Sequence, residues 1–186
     1  MKPLGIVIGH TEKRQGAYSR YLKASEYTYN GEFAGLLVSE GIKKGIDVVV
    51  ERRDNGGIFG AYERLLACDP AAIIELHFNA ATPRATGTET LHTNMYDKAG
   101  FNEQVFAQMI QNALVGALCL RDRGVKRCRK GDRGFYNLMQ TKKICSIITE
   151  PFFGSNDFDS NVFNTNRGQV AANMIDAFAE WRKGLQ

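Results

Sequence analysis

Two histidines and two glutamates, His10, Glu26, His77 and Glu150, are the residues of this chain best suited to chemistry. His10 follows the apolar run Leu4-Gly5-Ile6-Val7-Ile8, His77 closes Ala72-Ile73-Ile74-Glu75-Leu76, and Glu150 closes Ile144-Cys145-Ser146-Ile147-Ile148-Thr149. If these runs are parallel strands of one open sheet, all three residues emerge at its carboxyl edge, where such sheets place their ligands. Two neutral imidazoles and one carboxylate make an open zinc site with a position left for water. A second carboxylate beside that water can serve as its base. The four residues are widely separated, so strand-end placement carries this reading and spacing adds little. Each also has a plainer role available. A histidine after a strand often only holds a hydrogen bond, and a glutamate in a first helical turn behind a capping Ser25 is favoured by the helix dipole. Glu150 is the sharpest signal, because a carboxylate ending a buried strand is costly unless a cation or donors satisfy it.

The elements that must position these residues alternate along the chain in the manner of an α/β domain. Besides the three runs above, Ile46 to Val50 reads as a short buried strand entered through Gly45, and Thr88 to Thr93 as a further strand. A helix is expected from near Glu26, burying Phe33, Leu36 and Leu37; a second carries Ile58, Tyr62, Leu65 and Leu66 and ends at Asp69-Pro70. Phe101, Val105, Met109 and Ala113 mark a third helical stripe, and Val170, Met174, Ala177, Phe178 and Trp181 mark the last. These stripes read as core faces, not cofactor boxes. Segments 11–25, 79–87 and 119–137 are polar or glycine-bearing and are the expected walls of a substrate groove.

The chain has 186 residues, 44% of them hydrophobic, which fits one soluble domain with a real core. No run reaches the ~20 apolar residues of a membrane span. The apolar stretch before His10 is too short for a secretory leader, so the expected location is the cytoplasm until release. Cys68, Cys119, Cys128 and Cys145 lack paired metal spacing. Cys145 reads as a small buried hydrophobe, and reduced thiols are expected. The net charge of +4 is densest from Arg121 to Arg133, a segment compatible with a solvated loop or with attraction to an anionic polymer such as cell wall. Nucleic acid fits poorly, because the cluster lacks interleaved aromatics.

The same residues carry a family resemblance. Gly9-His10, Gly16-Ala17, Glu26 with Asn30, Leu76-His77-Phe78-Asn79-Ala80, Asp122-Arg123-Gly124-Val125-Lys126, and Thr149-Glu150-Pro151-Phe152-Phe153 with Ser155-Asn156 occur in one order over nearly the whole chain. Together they resemble the zinc-dependent N-acetylmuramoyl-L-alanine amidases of the Amidase_3 type, which cleave peptidoglycan. The resemblance implies that His10, Glu26 and His77 bind Zn2+ and that Glu150 is the catalytic carboxylate. The family's Asp-Pro-Gly and Gly-Gly around its first histidine are replaced here by Val7-Ile8-Gly9 and Thr11-Glu12. Its small polar residue two before the second histidine is replaced by Glu75.

The expected fold is therefore a single catalytic domain over 1–186, a mostly parallel twisted sheet flanked by helices on both faces, with zinc at the carboxyl edge of the strands. The implied reaction is hydrolysis of the amide joining muramic acid to L-alanine, by a monomer of endolysin-like character whose partner is peptidoglycan. A carboxypeptidase-like zinc peptidase acting on wall peptides, and a catalytically silent wall-binding domain, are the alternatives. Around the site, Glu75 shares a strand face with His77 and is a candidate to orient it. Asn79 is a candidate for the same role or for gripping substrate. His92 is a rival ligand expected to face outward, and Arg64 or the arginines of 121–133 are candidates for binding substrate carboxylates.

Overall fold

The structure, a computed structural model, describes residues 1–93, 103–141 and 144–184. Chain order is β1 (Leu4–Ile8), a small hairpin β2 (Tyr18–Ser19) and β3 (Ala24–Ser25), α1 (Glu26–Lys43), β4 (Val48–Arg52), α2 (Gly57–Ala67), β5 (Ala72–Leu76) and β6 (Thr88–His92). There follow α3 (Glu103–Leu118), β7 (Asp122–Arg127), α4 (Phe135–Leu138), β8 (Cys145–Glu150) and α5 (Asp157–Lys183). The sheet order is β4-β1-β5-β8-β6-β7. Pairing is parallel throughout except between β6 and β8. The expected α/β sheet is thus present, with β6 and β7 running against the other four strands.

Alternation along the strands divides the core. Leu4, Ile6, Ile8 and Ile74 face the large cluster that includes residues of α1, α3 and α5. Val7 and Ile73 face Ala61, Tyr62 and Leu65 of α2 on the other side, and Ile148 meets Phe135 and Leu138 of α4 there. Helices cover both faces, and strands buried on two sides read as continuous apolar runs. Ser25 caps α1, its Oγ accepting from Thr28 N at 3.2 Å. Gly45 follows that helix with φ 64°, the left-handed turn that ends it.

Three expectations need correction. The buried face of α3 is Phe106, Ala107, Ile110, Gln111 and Leu114, whereas Val105 is exposed; Phe101 lies outside the described residues. Gln111 hides the true stripe because it is polar yet satisfied: its Oε1 accepts from Thr90 Oγ1 at 2.8 Å, and its Nε2 donates to Thr88 O and Asp122 Oδ1. His92 does not face outward but is buried, because α3 covers the face of β6 that it shares with Thr88 and Thr90. The basic segment Arg121 to Arg133 is not simply a solvated loop, since it contains β7. Charged β7 is an edge strand, where Lys and Arg discourage pairing with other chains.

The two loops that carry β-strand ends into the groove are tied by one buried carboxylate. Asp159 of α5 accepts from Thr86 Oγ1 at 2.6 Å, Gly87 N at 3.0 Å and Phe153 N at 3.2 Å. Asp159→Ala would leave two amides buried without acceptors, so a loss of about 2–4 kcal/mol in urea unfolding is expected.

Candidate metal centre

Each proposed ligand is delivered by a distinct local device. His10 stands just past β1 with φ 67°, a left-handed backbone that a non-glycine residue adopts at some cost. Glu26 opens α1, held by Glu26 N donating to Ala17 O at 2.8 Å. Its carboxylate is aimed by two backbone amides, Ala17 N on Oε2 and Phe78 N on Oε1, each at 3.2 Å. His77 stands just past β5. Asn30, one turn beyond Glu26, donates to Leu76 O at 3.2 Å and so ties α1 to the end of that strand. This gives the Glu26…Asn30 spacing a physical reason.

The three side chains converge. His10 Nε2 lies 3.1 Å from Glu26 Oε2, and His77 Nδ1 lies 2.6 Å from Glu26 Oε1. One ligand atom from each falls within 4.8 Å of the others. Donors around a tetrahedral zinc, at bond lengths near 2.1 Å, stand about 3.4 Å apart. Nitrogen and carboxylate donors at this spacing therefore fit a single divalent ion. Two glycines are required by the closeness of the rings. A Cβ on Gly9 would stand 2.5 Å from His77 Cε1, and one on Gly16, where φ is 77°, would stand 2.6 Å from both Glu26 Oε2 and His10 Cδ2. The Gly9-His10 and Gly16-Ala17 pieces of the sequence are thus one packing constraint seen twice.

Glu150, at the end of β8, lines the same groove of about 410 Å³ with His10, Glu26 and His77. Its Oε2 is buried and has no hydrogen-bond partner among the described residues. Burial pushes its pKa up to about 8, with the Glu26 and Glu89 charges adding to the rise and His77 and Arg133 opposing it. Burial also raises Glu26, but the hydrogen bonds and charges of His10 and His77 outweigh this and bring it down to about 2. The signs for stability are opposite. Glu26 stabilises the fold above the ordinary carboxylate range, and that contribution is lost as pH falls toward 2. Glu150 binds its proton more tightly when folded, so its contribution is present below about pH 4.5 and lost as pH rises through 8. In zinc-stripped protein, Glu150→Gln is expected to remove part of the fall in melting temperature between about pH 5 and pH 8. An unchanged pH profile would contradict that environment.

The other candidates sort clearly. Glu75, fully buried, meets His77 Nε2 at 2.8 Å, as its strand position suggested. Asn79 braces two loops, donating through Nδ2 to Glu89 Oε1 at 2.7 Å and through its amide to Phe152 O at 2.9 Å. Glu89 also receives Arg123 Nε at 2.7 Å and Lys126 Nζ at 2.5 Å, so part of the basic segment is committed to the fold. Arg64 is engaged by Glu51, Asn55 O and Arg52 O and is not among the groove-lining residues. Of the arginines of 121–133, Arg133 lines the groove. Arg53, Tyr62 and Asn137, which cluster around Glu75, were missed from sequence. Arg53 had a usable signal, since it directly follows β4, beside β1 at the same sheet edge.

Fold and cluster together define an α/β domain in which two imidazoles from strand ends and a carboxylate from the start of α1 meet in a groove at the carboxyl edge of the sheet. The family model described as N-acetylmuramoyl-L-alanine amidase, Amidase_3, matches residues 5–180, and the chain belongs to that family. The catalytic domain of CwlV, an N-acetylmuramoyl-L-alanine amidase from Bacillus (Paenibacillus) polymyxa var. colistinus, superposes with a TM-score of 0.81 at 21% identity, covering 98% of this chain and 99% of that one. The catalytic domain of the CD27L endolysin, which targets Clostridia difficile, gives 0.79 at 21% identity over 97% and 98% of the two chains. At these identities the likeness is one of fold. An uncharacterised protein of Bacillus subtilis (strain 168), YqiI, is 31% identical over 110 residues, 56% of this chain. The matched region spans 50% of that relative's length. Among the described residues no helix is long and apolar enough to cross a membrane.

Proposed function

We propose that this chain is a zinc-dependent N-acetylmuramoyl-L-alanine amidase, a single catalytic domain that hydrolyses the amide between muramic acid and the L-alanine of the stem peptide. The observation that carries the reading is Glu150: a buried carboxylate oxygen without a partner, in one groove with a His10–Glu26–His77 cluster of ligand spacing. Family membership supports the substrate class. His10, Glu26 and His77 would hold the ion. Zinc bound there would supply Lewis acidity to the scissile carbonyl and to a water. Glu150, with its raised pKa, is suited to take a proton from the attacking water and return it to the departing alanine amine. Arg133, which lines the groove, offers a cation to a substrate carboxylate. No covalent intermediate with the protein is required, and the chain would act on cell walls as a monomer.

Mass analysis of digested peptidoglycan tests this directly. Free stem peptides beginning with L-alanine, released only while zinc is present, are the expected products. Shortened stems still attached to muramic acid would mean a carboxypeptidase-like enzyme instead. Intact walls, with protein bound but nothing released, would mean a silent binding domain.

A further inference from the structure

We propose that Glu75 is a positioning residue that selects the metal-binding face of His77, with Arg53 as its buried counter-charge; this rests on the zinc reading above. Glu75 and His77 are two apart at the end of β5 and project to one face. Glu75 is 0% exposed and fully engaged. Its Oε1 accepts from His77 Nε2 and, at 3.0 Å, from Asn137 Nδ2; its Oε2 accepts from Tyr62 OH at 2.9 Å; the Arg53 guanidinium pairs with it. Four elements thus converge on one carboxylate, which leaves it little freedom to turn. Arg53 is itself buried and lies beside the groove.

The consequence falls on the imidazole. A carboxylate can only accept, so it holds the proton on Nε2. Nδ1 likewise donates to Glu26 Oε1, 2.6 Å away, on the side where His10 also converges, and that is the proton a cation bound among His10, Glu26 and His77 would displace while Glu75 keeps the one on Nε2. The ring also packs against Gly9 so tightly that a Cβ there would overlap Cε1 and Nε2, which restricts any shift toward the opposite binding mode. A hydroxyl in place of Glu75 could donate as well as accept and would not impose one tautomer. Carboxylate partners of metal-bound histidines fix ring orientation and raise ligand basicity.

The test is zinc affinity by competition with a chromophoric chelator, with thermal melts to confirm folding. Glu75→Ala combined with Arg53→Met removes acceptor and counter-charge together and avoids leaving a buried arginine unpaired. A roughly 10- to 100-fold rise in the zinc Kd is expected. Glu75→Gln alone, which keeps an acceptor oxygen, is expected to weaken zinc less. A folded double variant that binds zinc within about twofold of the parent overturns the inference while the zinc reading stands. If the double variant does not fold, the zinc-loaded parent decides by nitrogen NMR. Nδ1 of His77 bound to metal, with a slowly exchanging proton on Nε2, is expected; zinc on Nε2, or a rapidly exchanging proton, overturns it. A parent that binds no zinc removes both readings at once.

Discussion

Glu150→Gln is expected to lower turnover on purified cell walls by roughly 100- to 10,000-fold, the range that a positioned acid–base group supplies. Zinc content and melting temperature near neutral pH should not fall. The reasoning is local. Glutamine keeps the shape of the side chain at the end of β8, so Pro151 and Phe152 and the loop beyond them have no cause to move. It can neither take up nor return a proton, however, and proton transfer is the only role assigned to Glu150. Removing an ionisable group that burial has pushed up to about 8 should if anything steady the fold at alkaline pH. Loss of activity without loss of zinc separates a base from a ligand. A variant that solubilises walls at close to the parental rate would end the assignment, and one that loses its zinc would move Glu150 into the coordination set.

His77→Ala is expected to abolish both zinc binding and wall hydrolysis, taking metal content from about one ion per chain to near none. One imidazole and one carboxylate cannot close the site that His10, Glu26 and His77 form together. The substitution also strips Glu26 Oε1 and Glu75 Oε1 of an imidazole partner. A destabilisation of about 1–3 kcal/mol should accompany it, short of unfolding, because backbone amides still hold Glu26 and Tyr62, Asn137 and Arg53 still hold Glu75. Metal analysis and a melt on the same preparation are sufficient. Zinc retained at full stoichiometry by a folded His77→Ala protein would mean that the ion sits elsewhere.

The difference expected between these two variants follows from the arrangement. Both residues end parallel strands joined by β5–β8 pairing, which sets Leu76 opposite Thr149 and His77 close to Glu150. His77 is pinned between carboxylates, whereas Glu150 keeps one oxygen without a partner. A ligand needs its orientation fixed before the ion arrives; a base needs an oxygen free to receive a proton.

Much of this was legible in a single sequence because buried strands and their ends write themselves into it. Apolar runs at 4–8, 72–76 and 144–149, each closed by His or Glu, reflect two-sided burial followed by emergence at the sheet edge. The stripe from Val170 to Trp181 is visible for the same reason: it is apolar at helical spacing and packed on the core, with Ala177 half-buried. Where the reading failed, polar groups had entered the interior. Gln111 and Glu103 sit in the buried face of α3 with satisfied hydrogen bonds, so the apolar period there is broken and the sequence favours a neighbouring stripe that includes exposed Val105 and half-buried Met109. His92 in β6 sits among alternating polar neighbours and reads as half-solvated, yet α3 covers the face it shares with Thr88 and Thr90.

Local pattern, then, was enough for the α/β class and for the strand ends at which His10, His77 and Glu150 emerge, since each depends on burial and period within a few residues; Glu26 was singled out by the family resemblance and not by pattern. Which atoms meet depended on contacts across the sheet. Only folding puts Glu26, from a helix start, between two imidazoles that lie 67 residues apart in the chain (77 − 10). Likewise, Arg53, Tyr62 and Asn137 gather around Glu75 from the end of β4, α2 and α4, segments remote from one another in the chain. Hydrogen bonds and ion pairs reach about 3 Å, so a partner remote in sequence leaves no periodic trace of itself.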